Sequence, residues 1–191
     1  IDFSNKLTKP YVEALKKEIE AVSKNPFVKE RSIETVYFGG GTPSALSAEE
    51  IDEIICCLKD NFDLSNAREI TFEAGRPDTV TREKLLAVKA NGVKRISINP
   101  QTMDDEVLEL IGRKHTAKDV IDAFKMARSF GFDNINMDLI SGLPGDDFDK
   151  FRKTIDSVLE LDPENITLHT LTVKRSANLV NDAQKMLSRT V

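Results

Sequence analysis

The sequence predicts an α/β fold assembled from parallel βα units. Three observations lead there: strand-like and helix-like stretches alternate along the chain, the strand-like stretches run into small, polar or charged residues, and no second zone of composition appears. Alternation of this kind belongs to parallel sheets whose strands are joined by helical crossovers.

Taken in order, Thr8 is the expected cap of a helix running to about Lys24, with Val12, Leu15, Ile19 and Val22 at helical spacing. Ile33–Phe38 reads as a strand ending at Gly39. Ser47 to Glu50 spells a capping box, and Ile51, Ile54, Ile55 and Leu58 give the next helix its apolar stripe. EITFEA (69–74) is a second strand, followed by a helix capped by Thr81 and carrying Leu85, Leu86 and Val88. RISIN (95–99) is a third strand. A short helix starting between Thr102 and Asp105 carries Val107, Leu108 and Ile111. Another opens at Thr116 and Asp119, with Val120, Ile121, Phe124 and Ala127 inward. NINMDLI (134–140) is a fourth strand, a helix from about Asp147 to Leu161 presents Phe148, Phe151, Ile155 and Val158, and NITLHTLTV (165–173) is a fifth strand. Residues 182–187 suit one more short helix without a clear place, so residues 177–191 stay unassigned.

A helix at the front of a βα series normally follows a strand of its own. The expected arrangement therefore has six units, with its first strand before Ile1. Such a series is either an open doubly wound sheet or an incomplete barrel, and both place a ligand at the carboxyl ends of the strands.

Composition narrows the function. The 191 residues are 40% hydrophobic and 31% charged, as in a soluble globular domain. A net charge of -5 argues against a general nucleic-acid or membrane-surface binder. No apolar run approaches a membrane span. The only cysteines, Cys56 and Cys57, are adjacent, so they neither bridge readily nor share a metal, and a reducing cytoplasm is the default location. At least one of them reads as a small core residue.

At the strand ends the chain turns informative. The first strand runs into Gly39-Gly40-Gly41-Thr42-Pro43-Ser44, the second into Glu73-Ala74-Gly75-Arg76-Pro77-Asp78, the third into Asn99-Pro100-Gln101-Thr102. The fourth passes Asp138 into SGLPG, and the fifth ends near His169 to Thr172, with Lys174 and Arg175 beyond. Each residue alone has a plain structural reading. The glycines match neither a GKS/GKT phosphate loop nor GxGxxG, Glu73 suits a solvated loop, Gln101 suits a helix cap, and Arg113 suits an acid at its helix end. Asp138 resists this reading, because a carboxylate in a strand suited to burial needs partners. His169 reads as a core histidine and His115 as exposed. Together, two carboxylates, an amide and a guanidinium beside a bare strand end suit a zwitterionic, nucleoside-like ligand.

GGGTPS, EAGRPD, ISINPQT with LIGRKHT, NINMDLISGLPG and LHTLTVKR, in that order, resemble the radical S-adenosylmethionine proteins of the oxygen-independent coproporphyrinogen III oxidase family. The wording of AGRPDT, NPQTM and HTLTVKR is most similar to the coproporphyrinogen dehydrogenase branch. The resemblance covers nearly all of residues 8–176 and implies an incomplete (β/α)6 barrel, a TIM-like core over residues 1–176. It implies that Gly40, Gly41 and Thr42 approach S-adenosylmethionine and that Glu73 contacts it. Gln101, Arg113 and Asp138 then make further contacts, to a second S-adenosylmethionine in the oxidase, and Thr172 falls near another. The family activity is oxidative decarboxylation of porphyrinogen propionates in haem biosynthesis, with a [4Fe-4S] cluster, a reductant and a porphyrinogen or haem as partners. Lys174 and Arg175 suit substrate propionates by charge.

One departure is large. The CxxxCxxC motif that holds the cluster is absent from this sequence, and Cys56 and Cys57 have the wrong spacing to replace it. The expectation is a fragment, inert by itself. Three alternatives stay open: a haem carrier of the same family, a radical enzyme acting on tRNA, and an ordinary phosphate-binding barrel.

Overall fold

A computed structural model describes residues 7–172. Within them α1 (Thr8–Ser23) and the single turn α2 (Pro26–Lys29) precede β1 (Thr35–Phe38). Then follow α3 (Ala48–Asn61), β2 (Glu69–Glu73), α4 (Arg82–Ala90), β3 (Arg95–Ser97), α5 (Asp105–Leu110), α6 (Ala117–Ser129), β4 (Ile135–Ser141), α7 (Phe148–Leu161) and β5 (Asn165–Thr170). Short 3₁₀ turns at Pro43–Ala45 and Pro77–Thr79 follow β1 and β2. Residues 173–176, the unassigned stretch 177–191 with its expected helix, and Lys174 and Arg175 lie outside the described residues.

The strands pair in parallel in the order β1-β2-β3-β4-β5. That order decides between the two sheet types. A doubly wound sheet reverses direction at a switch point, whereas here every crossover lands beside the strand before it. Strands wound in one direction curl toward a barrel, and the fold is a truncated TIM-like barrel.

The register separates two faces. Phe38 pairs with Phe72, Phe72 with Ile96 and Ile96 with Ile135 on the face beneath the helices. There Ile51 and Ile55 of α3, Leu85 and Val88 of α4, Val120, Phe124 and Ala127 of α6 and Val158 of α7 close over Phe72, Ile96, Ile98, Ile135, Met137 and Leu139. Apolar burial on this scale is the main force holding the fold together. One residue away, Tyr37 pairs with Thr71, Glu73 with Ser97, Ser97 with Asn136 and Asp138 with Thr167. The second face is therefore polar and forms the inside of the partial barrel.

Most expected caps are present. Ser47 and Glu50 form the capping box of α3, Thr116 and Asp119 that of α6, and Thr81 and Asp147 cap α4 and α7. At α1 the expectation fails: the cap position is Leu7, without a side-chain bond, and Thr8 is already helical. Pro10 explains the shift, since it fits the first turn of a helix, where its missing N–H loses no bond. Asp104, not Gln101, caps α5. Phe148 stands 78% exposed, so the buried face of α7 begins later, at Thr154 and Val158.

Candidate functional site

Along the inside of the barrel, polar side chains join into one network. Asn136, buried on β4, donates from Nδ2 to Ser97 Oγ at 3.1 Å and to Asp138 Oδ1 at 2.6 Å, and accepts from Thr167 Oγ1 at 2.9 Å. Ser97 donates to Asn99 Oδ1 at 2.7 Å, and Asn99 Nδ2 reaches Glu73 Oε1 at 3.5 Å. Asp138 thus has a partner, Asn136, for the carboxylate its strand carries. Burial raises the Glu73 carboxyl above its ordinary range; the Tyr37 bond pulls it back, nearby Asp138 pushes it further up, and a bond from the Gly40 N–H lowers it. Two carboxylates close enough to repel each other, beside an open strand end, invite a cation or hydroxyl donors.

The glycine run separates into different tasks. A Cβ on Gly39 would lie 2.0 Å from the Tyr37 ring and 3.0 Å from Glu73 Oε2. Its bareness therefore lets the Tyr37 ring fold over the strand end, where the hydroxyl meets Glu73 Oε2 at 3.3 Å. Burial raises the Tyr37 phenol, and the charge of Glu73 raises it further. Gly40 is bare for backbone reasons: its φ is +102°, and no heavy atom crowds its missing Cβ. Gly41 and Thr42 line a cleft of about 710 Å³, together with Leu7, Tyr11, Phe38 and Asp78.

A lysine fixes this loop against its neighbour. Lys84 Nζ donates to the carbonyl of Ser44 at 2.6 Å and to that of Thr79 at 3.2 Å, tying the two 3₁₀ turns together. Ser44 adds hydrogen bonds to the Ala74 carbonyl and the Thr79 hydroxyl. Burial lowers the Lys84 ammonium pKa, with no carboxylate bonded to it among the described residues.

Gln101 is buried with φ +70°, and its backbone bonds to the carbonyl of Asp138 and the N–H of Ile140, an isolated bridge to β4. That backbone pairing, rather than helix capping, sets its place; its Nε2 lies 3.5 Å from the Asn99 carbonyl. Arg113 stands apart from the Glu73–Asp138 pair. The charged groups acting on its half-buried guanidinium are Arg76 and Asp78. It makes no ion pair with an acid at its helix end among the described residues. Thr172 follows β5 and is exposed; no side-chain bond joins it to the others among the described residues. The structure thus brings Glu73, Asp138, Gly40 and, through Asn99, Gln101 to one rim. Gly41 and Thr42 border the adjoining cleft, the charges acting on Arg113 are those of Arg76 and Asp78, and Thr172 has no side-chain bond to the others among the described residues.

Both histidines differ from expectation. His115 is 2% exposed, because the chain turns back at Gly112 (φ +73°) after α5 and carries it under Pro100. His169 is exposed, since β5 is the edge strand of the described sheet and nearly all of its residues are exposed, Leu168 on the other face included. The cysteines differ as well: Cys56 is exposed and Cys57 only half-buried, both on α3, so neither fills the core.

Sequence reasoning missed Tyr37, Ser97 and Asn136 as members of the site. For Ser97 and Asn136 the signal was the alternation inside RISIN and NINMDLI, where polar residues recur at every second place through Asp138 although parallel strands buried on both faces are nearly continuous in apolar residues; Tyr37 carried no such signal.

The donor set suits S-adenosylmethionine: carboxylates for ribose hydroxyls or an ammonium, an unhindered backbone turn for close approach, and guanidinia for a carboxylate. It does not suit the iron–sulfur cluster, because no group of three His, Cys, Asp or Glu among the described residues could hold a metal. Among them, too, no helix is long and apolar enough to cross a membrane.

Comparison with known proteins agrees with this fold. The model of the radical SAM superfamily matches residues 3–158. The oxygen-independent coproporphyrinogen-III oxidase-like protein HemZ of Bacillus subtilis is 44% identical over 162 residues, 83% of this chain and 32% of the relative. The heme chaperone HemW of the same organism is 39% identical over 180 residues, 92% of this chain and 46% of the relative. The structure of coproporphyrinogen III oxidase HemN from Escherichia coli superposes with a TM-score of 0.81 at 25% identity, covering 97% of this chain and 46% of that one. The chain spans about a third to a half of the length of these relatives. The superfamily's cofactors are S-adenosylmethionine and a [4Fe-4S] cluster. The chain belongs to the radical SAM superfamily and is similar there to HemN, HemZ and HemW proteins.

Proposed function

We propose that this chain is the S-adenosylmethionine-binding core of an oxidoreductase that decarboxylates porphyrinogen propionates. The observation that carries the reading is the polar inner face, where Glu73, Asn99 and Asp138 meet the glycine turn at the carboxyl ends of β1 to β4. Likeness to the HemZ and HemN proteins supplies the substrate class. When bound, S-adenosylmethionine together with the superfamily's cluster supplies the radical chemistry. The chain's own residues bind and orient. Gly40 and Gly41 let the cofactor approach the backbone. Glu73 accepts hydrogen bonds from it, Asp138 and Gln101 contact it further along the rim, and Thr42 and Thr172 flank it. Arg113 offers a forked contact to a carboxylate. A soluble reductant in the cytoplasm completes the set of partners.

A second reading, a haem carrier, is favoured by the 39% identity to the heme chaperone HemW. One experiment separates the two. The whole protein, reconstituted anaerobically with its cluster, is given S-adenosylmethionine, a reductant and coproporphyrinogen III, and in parallel is titrated with haem. Release of carbon dioxide and methionine supports the oxidase. Tight haem binding without decarboxylation supports the carrier. The site assignment has its own test: Glu73→Ala and Arg113→Ala weaken S-adenosylmethionine binding at least tenfold, and unchanged binding in both refutes it.

A further inference from the structure

The turn at Gly112 carries His115 back beneath the third strand, where its side chain has no exposed surface. Its Nε2 lies 3.3 Å from the carbonyl oxygen of Pro100. Pro100 is itself buried, and no other donor reaches that carbonyl among the described residues. On the opposite side of the ring, Nδ1 faces Asp78 Oδ1 at 4.0 Å. Two acceptors therefore flank a ring that has one N–H when neutral. Distance and prior commitment decide between them. The Pro100 carbonyl is closer, whereas Asp78 is beyond hydrogen-bond reach and both its oxygens already accept from Arg76, at 3.3 and 3.4 Å. The hydrogen sits on Nε2, and Nδ1 is left a buried lone pair with no hydrogen-bond partner among the described residues. Burial holds the ring toward its neutral form; Arg113 and Arg76 add to this, against the Pro100 carbonyl and Asp78.

The importance of this bond lies in the next residue. Gln101 has φ +70°, a left-handed backbone that a residue with a Cβ adopts at a cost. Such a conformation persists only where its surroundings fix it from several sides. On the β4 side, the Gln101 N–H donates to the Asp138 carbonyl at 3.0 Å and the Ile140 N–H donates to the Gln101 carbonyl at 2.9 Å. From α7, the Thr154 hydroxyl accepts from the Met103 N–H at 3.1 Å. His115 supplies the remaining hold. The peptide unit between Pro100 and Gln101 is thus gripped at both ends, its N–H by Asp138 and its C=O by His115. Fixing that plane fixes the rotation about the Gln101 N–Cα bond, which is φ itself.

We propose that His115 is a positioning residue: by pinning the Pro100 carbonyl it holds Gln101 in its left-handed turn and sets where the Gln101 amide stands on the rim. The inference rests on the reading of Gln101 as an S-adenosylmethionine contact only for its effect on binding; its effect on the turn stands without that reading.

The test uses the whole, cluster-reconstituted protein with S-adenosylmethionine as the probe. His115→Phe keeps the bulk and removes the donor; His115→Gln puts an amide N–H near the place of Nε2. His115→Phe is expected to weaken binding about tenfold, as loss of one well-placed hydrogen bond predicts, and His115→Gln to restore most of it. In a Gln101→Ala background His115→Phe should add no further loss, because it acts through that residue. Two measurements need no ligand. Nitrogen NMR of the unsubstituted protein should show the His115 hydrogen on Nε2 and a bare Nδ1 at pH 7. Hydrogen exchange of residues 99–103 should quicken in His115→Phe, with α3 keeping its protection. Hydrogen on Nδ1, equal losses in His115→Gln and His115→Phe, a full extra loss in the Gln101→Ala background, or unchanged exchange at 99–103 overturns the proposal. Glu73→Ala and Gln101→Ala report on the cofactor reading by itself: if neither weakens binding while exchange at 99–103 responds to His115→Phe, that reading fails and this inference stands.

Discussion

On the helix side of the sheet stand Ile70, Phe72, Ile96, Ile135 and Met137; one residue along the same strands, on the barrel side, stand Glu69, Thr71, Ser97, Asn136 and Asp138. The first group is held by exclusion of water and tolerates little else. The second is held by mutual hydrogen bonds, Asn136 serving Ser97, Asp138 and Thr167 together. The contrast teaches that the packing that holds the fold and the polar groups we propose for binding lie on opposite sides of one thin sheet. A side chain can be lost from the barrel side without opening the core, while the carboxylates needed there are kept at some cost to the fold.

Four substitutions break or sharpen that contrast. The largest effect is expected from Ile96→Asp, which puts a carboxylate where Ile96 is fully buried. It should cost more than about 4 kcal/mol and abolish the cooperative urea transition. Asn136→Ala removes the hub of the polar face and leaves buried Ser97 and half-buried Asp138 short of a donor. About 2 kcal/mol should be lost in chemical denaturation, with the fold retained. Gly39→Ala drives a methyl group into the Tyr37 ring. About 1 kcal/mol is expected, and it should vanish when the same change is made in a Tyr37→Ala background, a double-mutant cycle that isolates the contact.

The smallest effect has the opposite sign. The folded protein holds the Glu73 proton more tightly than the unfolded chain, because burial raises its carboxyl from 4.5. Ionised Glu73 therefore weakens the fold at pH values above both its unfolded and folded ranges. Glu73→Gln should stabilise the protein at pH 7 by about 0.5 kcal/mol, or about 1–2 °C in thermal unfolding. The gain should fade as pH falls through the carboxylate range, where Glu73 is already neutral. A gain that is unchanged down to pH 4 would show that burial of the charge is not its cause.

Much of this was legible in the sequence. Helix capping and apolar spacing placed α3, α4, α6 and α7, and the strand ends carried Glu73, Gln101 and Asp138. Three things were not legible, each for a physical reason. The choice between open sheet and barrel depends on strand order, which crossovers of similar length leave undetermined. The burial of His115 depends on a turn at Gly112 that sends the chain back beneath the third strand, against the exposure its basic neighbours suggest. The separation of Arg113 from the Glu73–Asp138 pair depends on where Arg76 and Asp78 stand, a tertiary fact that spacing along the chain does not encode.

The lysine tie between the two 3₁₀ turns carries a consequence for how the rim responds to modification. Lys84 spends its ammonium on two main-chain oxygens, Ser44 and Thr79. Acylating that nitrogen would erase the charge and leave one N–H for two acceptors. The segment after β1 and the segment after β2 would then keep the Ser44 hydroxyl, bonded to Ala74 and Thr79, as their tie among the described residues, and the span between the two turns would loosen although every residue of the rim remained in place.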